Sequence, residues 1–209
     1  MDGVIIDSEP IHQALEFEMF RDLGLHISDE EHMNYVGTSS IDMWNLIKEK
    51  HDLKKTPEEL LFYGRKRYWD ALEQNRVPLV DGSVELMQQL YQHKYIIQVA
   101  SSATRPTVDK VINHFRLDKY ISHRIGGNEV KKSKPEPEIF LRSAQQSNSN
   151  PWECLVIEDS TNGVRAAKKA GMFCVGYANP GTGSQDLSMA DLVVSDIRNL
   201  TLEVIRSFI

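Results

Sequence analysis

LVIEDSTNGVRAAKKAG (Leu155–Gly171) passes from a short apolar run through two acids into an amphipathic helix. Leu155-Val156-Ile157 suits a buried strand, and Val164, Ala167 and Ala170 share a helical face that stops at Gly171. The same order recurs along the chain. YIIQVA (Tyr95–Ala100) leads through Ser101-Ser102 to a helix carrying Val108, Val111, Ile112 and Phe115, and FCVGY (Phe173–Tyr177) and LVV (Leu192–Val194) are further strands bounded by turn residues. Apolar strands alternating with helices predict an α/β fold with a parallel sheet covered on both faces. Ligands in such sheets sit beyond the carboxyl ends of the strands, so those ends are where chemistry is sought.

Upstream the texture is different. From about Pro10 to Asn75 the pattern is helical, with little that resembles a strand. Ile11, Leu15, Met19 and Leu23 recur every four residues between Pro10 and Gly24, and Ile41, Trp44 and Ile47 repeat the spacing. Thr56-Pro57-Glu58-Glu59 announces a third helix with a threonine cap, a proline and two acids.

The composition sets bounds. At 209 residues the chain can hold one sizeable domain, or a core with a smaller insertion. A net charge of −6 and the lack of a Lys/Arg track argue against a nucleic-acid surface. No apolar run approaches the ~20 residues needed to cross a bilayer, and Met1-Asp2-Gly3 lacks a secretory layout. Cys154 and Cys174, each in an apolar stretch, read as buried free thiols of a reducing compartment. These features predict a cytoplasmic monomer without nucleic-acid or membrane partners.

The residues after the strands form a chemical set: Ser101 and Ser102 after the first, Glu158 and Asp159 after LVI, and Asp2-Gly3 beside Val4-Ile5-Ile6. A lysine precedes a helix start in Lys134-Pro135-Glu136-Pro137. Each alone has a plainer meaning: Ser160 or Ser101 as a helix cap, Lys134 as a loop charge, Asp2-Gly3 as a turn. Converging on one sheet edge, they would suit a divalent cation and a phosphate. Mg²⁺ takes hard oxygens, commonly one or two carboxylates plus phosphate oxygens, while a lysine and a hydroxyl offset the remaining charge.

Taken in order, MDGVIIDSEPIH (Met1–His12), VASSA (Val99–Ala103), KSKPEPEIF (Lys132–Phe140) and LVIEDSTNGVRAAKKAG resemble the haloacid-dehalogenase superfamily over the whole chain. The match is closest to its branch of β-phosphoglucomutases and sugar-phosphate phosphatases. The resemblance implies a Rossmann-like core at 1–9 and 80–209, with a helical cap inserted at 10–79. It implies a Mg²⁺-dependent phosphatase acting on a small phosphorylated metabolite. Asp2 would be the general acid/base and a metal ligand, Ser101 the phosphate-binding hydroxyl, and Lys134 the lysine that pairs with phosphate and nucleophile. Glu158 and Asp159 would complete the metal site, and His12, Gly37, Thr38 and Ser102 would face the substrate.

The family's first motif is a buried strand running into Asp-x-Asp, whose first aspartate is the nucleophile. Met1 stands at x here. The expectation is that the native protein carries further N-terminal residues, mostly apolar and ending in Asp. A degenerate member that binds a phosphorylated ligand without catalysis, and another segment taking over the strand, are the other readings. Gly37-Thr38-Ser39-Ser40 lacks the cap arginine of β-phosphoglucomutases, which favours a phosphatase over a mutase. Arg105 is a candidate charge from the core side.

Overall fold

The computed structural model of the protein describes residues 1–35 and 40–208, the side chain of Met33 excepted. The chain forms two compact units, one of Met1–Glu9 with Val77–Ile209 and one of Pro10–Arg76. The dividing line lies slightly before the one expected from the sequence. Backbone bonds from Asp7 N to Pro78 O and from Val80 N to Ile5 O, both 2.9 Å, tie the 78–80 segment to the first turn of the chain.

The Pro10–Arg76 unit is helical: α1 (Glu9–Asp22), α2 (Asp29–Met33), α3 (Ser40–His51) and α4 (Pro57–Glu73). The four-residue spacing buries Leu15, Met19 and Phe20 on α1, and Met19 and Phe20 pack with Trp44, Ile47 and Leu60. Gly24, at φ +71°, supplies the left-handed residue that ends α1. Thr56 and Glu59 form a reciprocal capping box at the start of α4. Arg67 ties α4 to Glu18 and Asp22 of α1.

The other unit carries helices α5 (Ser83–Gln92), α6 (Arg105–His114), α7 (Glu138–Gln146), α8 (Thr161–Lys169) and α9 (Leu202–Arg206). Its strands are β1 (Gln98–Ser101), β2 (His123–Gly126), β3 (Leu155–Glu158), β4 (Phe173–Tyr177) and β5 (Leu192–Val194), all paired in parallel. Alternation along β4 sends Cys174 into one core with Ile139, Phe140 and Val164, and Val175 into another with Leu86, Ile197 and Ile205. Both faces are therefore covered, as the strand–helix alternation requires. The strand β2, His-Arg-Ile-Gly, was not expected, because Ile125 alone gives it an apolar signal. Val4-Ile5-Ile6 is a turn rather than a strand, with Ile5 N donating to Met1 O at 2.8 Å and Gly3 at φ +66°.

The described strands form two sheets, β1-β2 and β3-β4-β5. Each of β1 and β3 has one strand neighbour among the described residues, so each keeps an unpaired edge. Between them runs a cavity of about 420 Å³, walled by Val99 and Ala100 on one side and Leu155 and Ile157 on the other. Met1 and Glu158 also line it.

The loops after β1 and β2 touch backbone to backbone. A β-carbon on Gly126 would overlap Arg105 N and stand 2.6 Å from Arg105 Cα. Neither atom can rotate away, so Gly126→Ala is expected to cost about 3 kcal/mol. Urea unfolding checks this, and an unchanged midpoint would mean that the two loops separate freely.

Candidate active site

The carboxyl ends of β1 and β3 bring a lysine and an acid together. Lys134 Nζ lies 2.5 Å from Glu158 Oε1 and donates to Ala100 O at 3.2 Å. Both side chains are buried, 9% and 8% exposed. Burial by itself would raise the Glu158 carboxyl. The Lys134 ammonium and hydrogen bonds from Lys134 and Ser160 outweigh it and hold the group below its ordinary range. Ser160 Oγ also accepts from Gly163 N at 3.1 Å, so the helix-cap reading of that serine holds. Gly163 is required here, because a β-carbon would overlap the Glu158 carboxylate.

Asp2 is held by two hydroxyls. Ser8 Oγ donates to its Oδ1 at 2.9 Å, and Ser101 Oγ to its Oδ2 at 3.2 Å. Ser101 is buried and also accepts from Ala103 N at 3.1 Å. Two donors on one carboxylate fix its plane. The turn carrying Asp2 closes onto Asp159: a β-carbon on Gly3 would overlap Asp159 Oδ2. Burial, then the neighbouring Glu158 charge, push the Asp159 carboxyl up to about 7.

The three carboxylates expected to gather as a metal centre do not do so. Among the described residues no group of three or more His, Cys, Asp or Glu could hold a metal ion. Glu158 is turned toward Lys134 and Ser160, which leaves Asp2 and Asp159 as the acids nearest the turn. Two carboxylates remain a donor set that Mg²⁺ accepts.

Ser102 is exposed in the loop after β1. His12 belongs to the helical unit, where its ring stacks on Tyr68 at 4.6 Å and 9°. Gly37 and Thr38 lie outside the described residues. Arg105 is occupied by the fold: its Nε donates to Asp109 Oδ2 at 2.9 Å and its Nη1 to Arg124 O at 2.7 Å. Trp44 is a packing residue, while Trp152 is exposed. Cys174 is buried, and burial first, then nearby acids, push its thiol up to about 12; Cys154 is half-buried.

Two residues were missed. Ser8 needs knowledge of a contact back to Asp2 that no helical or strand period carries. Asn179, buried just after β4, was open to the strand-end rule that found Ser101 and Glu158. Its Nδ2 donates to Gly3 O at 2.8 Å.

A parallel α/β unit with lysine, hydroxyl and carboxylates at the strand ends is the setting of phosphoryl-transfer chemistry, and the comparisons agree. Residues 1–177 match the family model described as haloacid dehalogenase-like hydrolase, and the chain belongs to that family. It is 26% identical over 206 residues to hexitol phosphatase B of Escherichia coli strain K12, covering 96% of this chain and 91% of that protein. It is 29% identical over 218 residues to the β-phosphoglucomutase of Bacillus subtilis, covering 98% and 91%. Against the bifunctional riboflavin kinase/FMN phosphatase of Arabidopsis thaliana it is 26% identical over 204 residues, covering 97% of this chain but 53% of that longer protein. Its fold is that of CbbY from Rhodobacter sphaeroides, solved in complex with phosphate, at TM-score 0.85 and 21% identity over 99% of this chain and 96% of that one. The chain thus sits in the branch of these hydrolases that holds β-phosphoglucomutase and sugar-phosphate phosphatases. No helix among the described residues is long and apolar enough to cross a membrane.

Proposed function

We propose that the protein is a Mg²⁺-dependent phosphatase of a small phosphorylated metabolite, of the sugar-phosphate kind, acting through an aspartyl-phosphate. The observation that carries this reading is the cavity between β1 and β3. It is lined in the main by apolar residues, with Gln98, Ser143 and Glu153 among the polar ones, has an unpaired parallel strand edge on each side, and meets Met1 and Glu158. A strand directly N-terminal to Met1 would fit it, and a carboxylate at the end of that strand would arrive beside Lys134, Ser101 and Asp2. This reading assigns the nucleophile to that position.

The residues in the chain then have distinct tasks. Asp2, held by Ser8 and Ser101, would give its proton to the leaving oxygen and afterwards draw one from the attacking water. Lys134 spends two donors on Glu158 and Ala100 O, and its remaining N–H would serve the phosphate oxygens. Asp2 and Asp159 would hold Mg²⁺, whose charge would offset the burial and the neighbouring Glu158 charge that raise the Asp159 carboxyl. Held there, the ion would neutralise charge on the phosphate.

The test begins with the intact mass of the protein from its natural locus, followed by a Mg²⁺ phosphatase screen on sugar phosphates. A mass larger by an apolar segment ending in Asp, with release of inorganic phosphate, is expected. Conversion of β-glucose 1-phosphate to glucose 6-phosphate would replace the phosphatase reading with the mutase one. A mass equal to this chain and no phosphate release would leave a non-catalytic binder of phosphorylated ligands.

A further inference from the structure

The turn after β4 grips the turn that carries Asp2. Asn179 is 6% exposed, and its amide is used at both ends. Nδ2 donates to Gly3 O at 2.8 Å and reaches Asp7 Oδ1 at 3.5 Å, while Oδ1 accepts from Gly181 N at 2.7 Å. Two glycines allow the approach. A β-carbon on Gly181 would overlap the Asp7 carboxylate, and one on Gly3 would stand 3.0 Å from Thr182 Cγ2. The 179–182 turn is itself stiffened, because Thr182 Oγ1 donates back to Asn179 O at 3.1 Å. The rigid end of a core strand is thus bonded to the peptide carbonyl one residue after Asp2.

We propose that Asn179 is a positioning residue for Asp2. Ser8 and Ser101 orient the Asp2 carboxylate, while Asn179 sets where the backbone beneath it stands, by holding Gly3 and Asp7 together. Without the Nδ2 donor the buried Gly3 carbonyl loses its partner, and the Met1–Asp7 turn is free to shift against Asp159 and Ser101. A displacement of about 1 Å at a reacting group costs on the order of 100-fold in rate without touching the substrate's binding contacts. The role rests on the reading of Asp2 as acid/base, and it requires nothing of the substrate's identity.

The test compares wild type, Asn179→Ala and Asn179→Ser in the protein from its natural locus, with rates normalised to folded protein. The serine hydroxyl can still accept from Gly181 N but is too short to reach Gly3 O, so it separates the grip on Gly3 from the stiffness of the 179–182 turn. Both variants are expected to lower kcat about 30–100-fold with KM within about twofold. Hydrogen exchange is read alongside: the Gly3 and Ile5 amides, bonded to Ile6 O and Met1 O, should exchange at least about tenfold faster while those of β4 stay protected. A loss that appears equally in KM, or that vanishes on normalisation, would reduce Asn179 to a structural residue and overturn the proposal. So would wild-type kcat and unchanged exchange in Asn179→Ser. If the wild type itself releases no phosphate, the acid/base reading fails. The exchange result then still decides whether the grip exists.

Discussion

Lys134→Ala lowers stability by about 3–5 kcal/mol at neutral pH, because it leaves Glu158 charged and buried without its cation. For a chain of this size that is roughly 10 °C in Tm. The pH dependence identifies the cause. In the wild type the Glu158 carboxyl sits below its ordinary 4.5, so its contribution is present above that pH and is lost as pH falls through the folded value. In the variant, burial is no longer opposed by the Lys134 cation, though still by the weaker Ser160 hydrogen bond, and the same carboxyl is expected to rise. Its burden then falls away below the unfolded value and is fully felt once pH exceeds the folded one. The gap in Tm between the two proteins should therefore be widest near pH 7–8 and shrink toward about pH 4. A gap independent of pH would assign the loss to the contact of Lys134 Nζ with the Phe140 ring, at 4.7 Å. Turnover should fall by about 10²–10³-fold as well, since the same ammonium faces the transferring phosphate in the proposed reaction.

Gly163→Ala is a contest between two effects of opposite sign. Alanine is the better helix former by about 1 kcal/mol, and Gly163 lies in the first turn of α8, so propensity alone predicts a gain. The added carbon, however, would occupy the place of the Glu158 carboxylate. To make room, either Glu158 leaves Lys134 or the start of α8 moves away from β3, and breaking the buried pair costs about 3–5 kcal/mol. The expected net change is a loss of about 2–4 kcal/mol in thermal or urea unfolding. Because both substitutions act on one ion pair, Lys134→Ala combined with Gly163→Ala should cost less than their sum. A Tm above wild type would show that the carboxylate finds room without leaving its partner.

What the sequence made legible follows from how each signal arises. β4 and β5 could be read residue for residue because their apolar runs are bounded by turns, and β3 to within one residue; β2 could not, since a strand whose partner and helices supply its burial needs few apolar residues of its own. Ser101, Glu158 and Asp159 were found through their place at strand ends, and Lys134 through its place before a helix start. Their division of labour was not. Glu158 and Asp159 were read together as acids of a metal site, and the ion pair of Glu158 with Lys134 was not part of that reading. Arg105, a candidate site charge, is taken up by Asp109 and the carbonyl of Arg124, which lie 4 and 19 residues away, and a linear reading has no means of ranking such partners. Asn179 shows the reverse failure. The strand-end rule covered it, but an Asn-Pro-Gly turn reads so readily as a plain loop that its amide drew no notice.

The bond from Asn179 to Gly3 spans 176 positions of sequence, and the one from Ser101 to Asp2 spans 99. Each sheet, by contrast, is assembled from strands that follow one another along the chain. On a ribosome the Met1–Asp7 turn emerges long before Asn179 and must wait for this partner. At about 5–20 residues per second that wait is roughly 10–35 s. The β1-β2 and β3-β4 pairs can form during this interval, but the turn bearing Asp2 docks only after translation has passed β4, so the chemical centre is built late, with β5 and α9 still to come. Truncated or stalled chains ending before residue 179 would then hold folded helices and strands with no competent site, and would present their open strand edges to chaperones throughout.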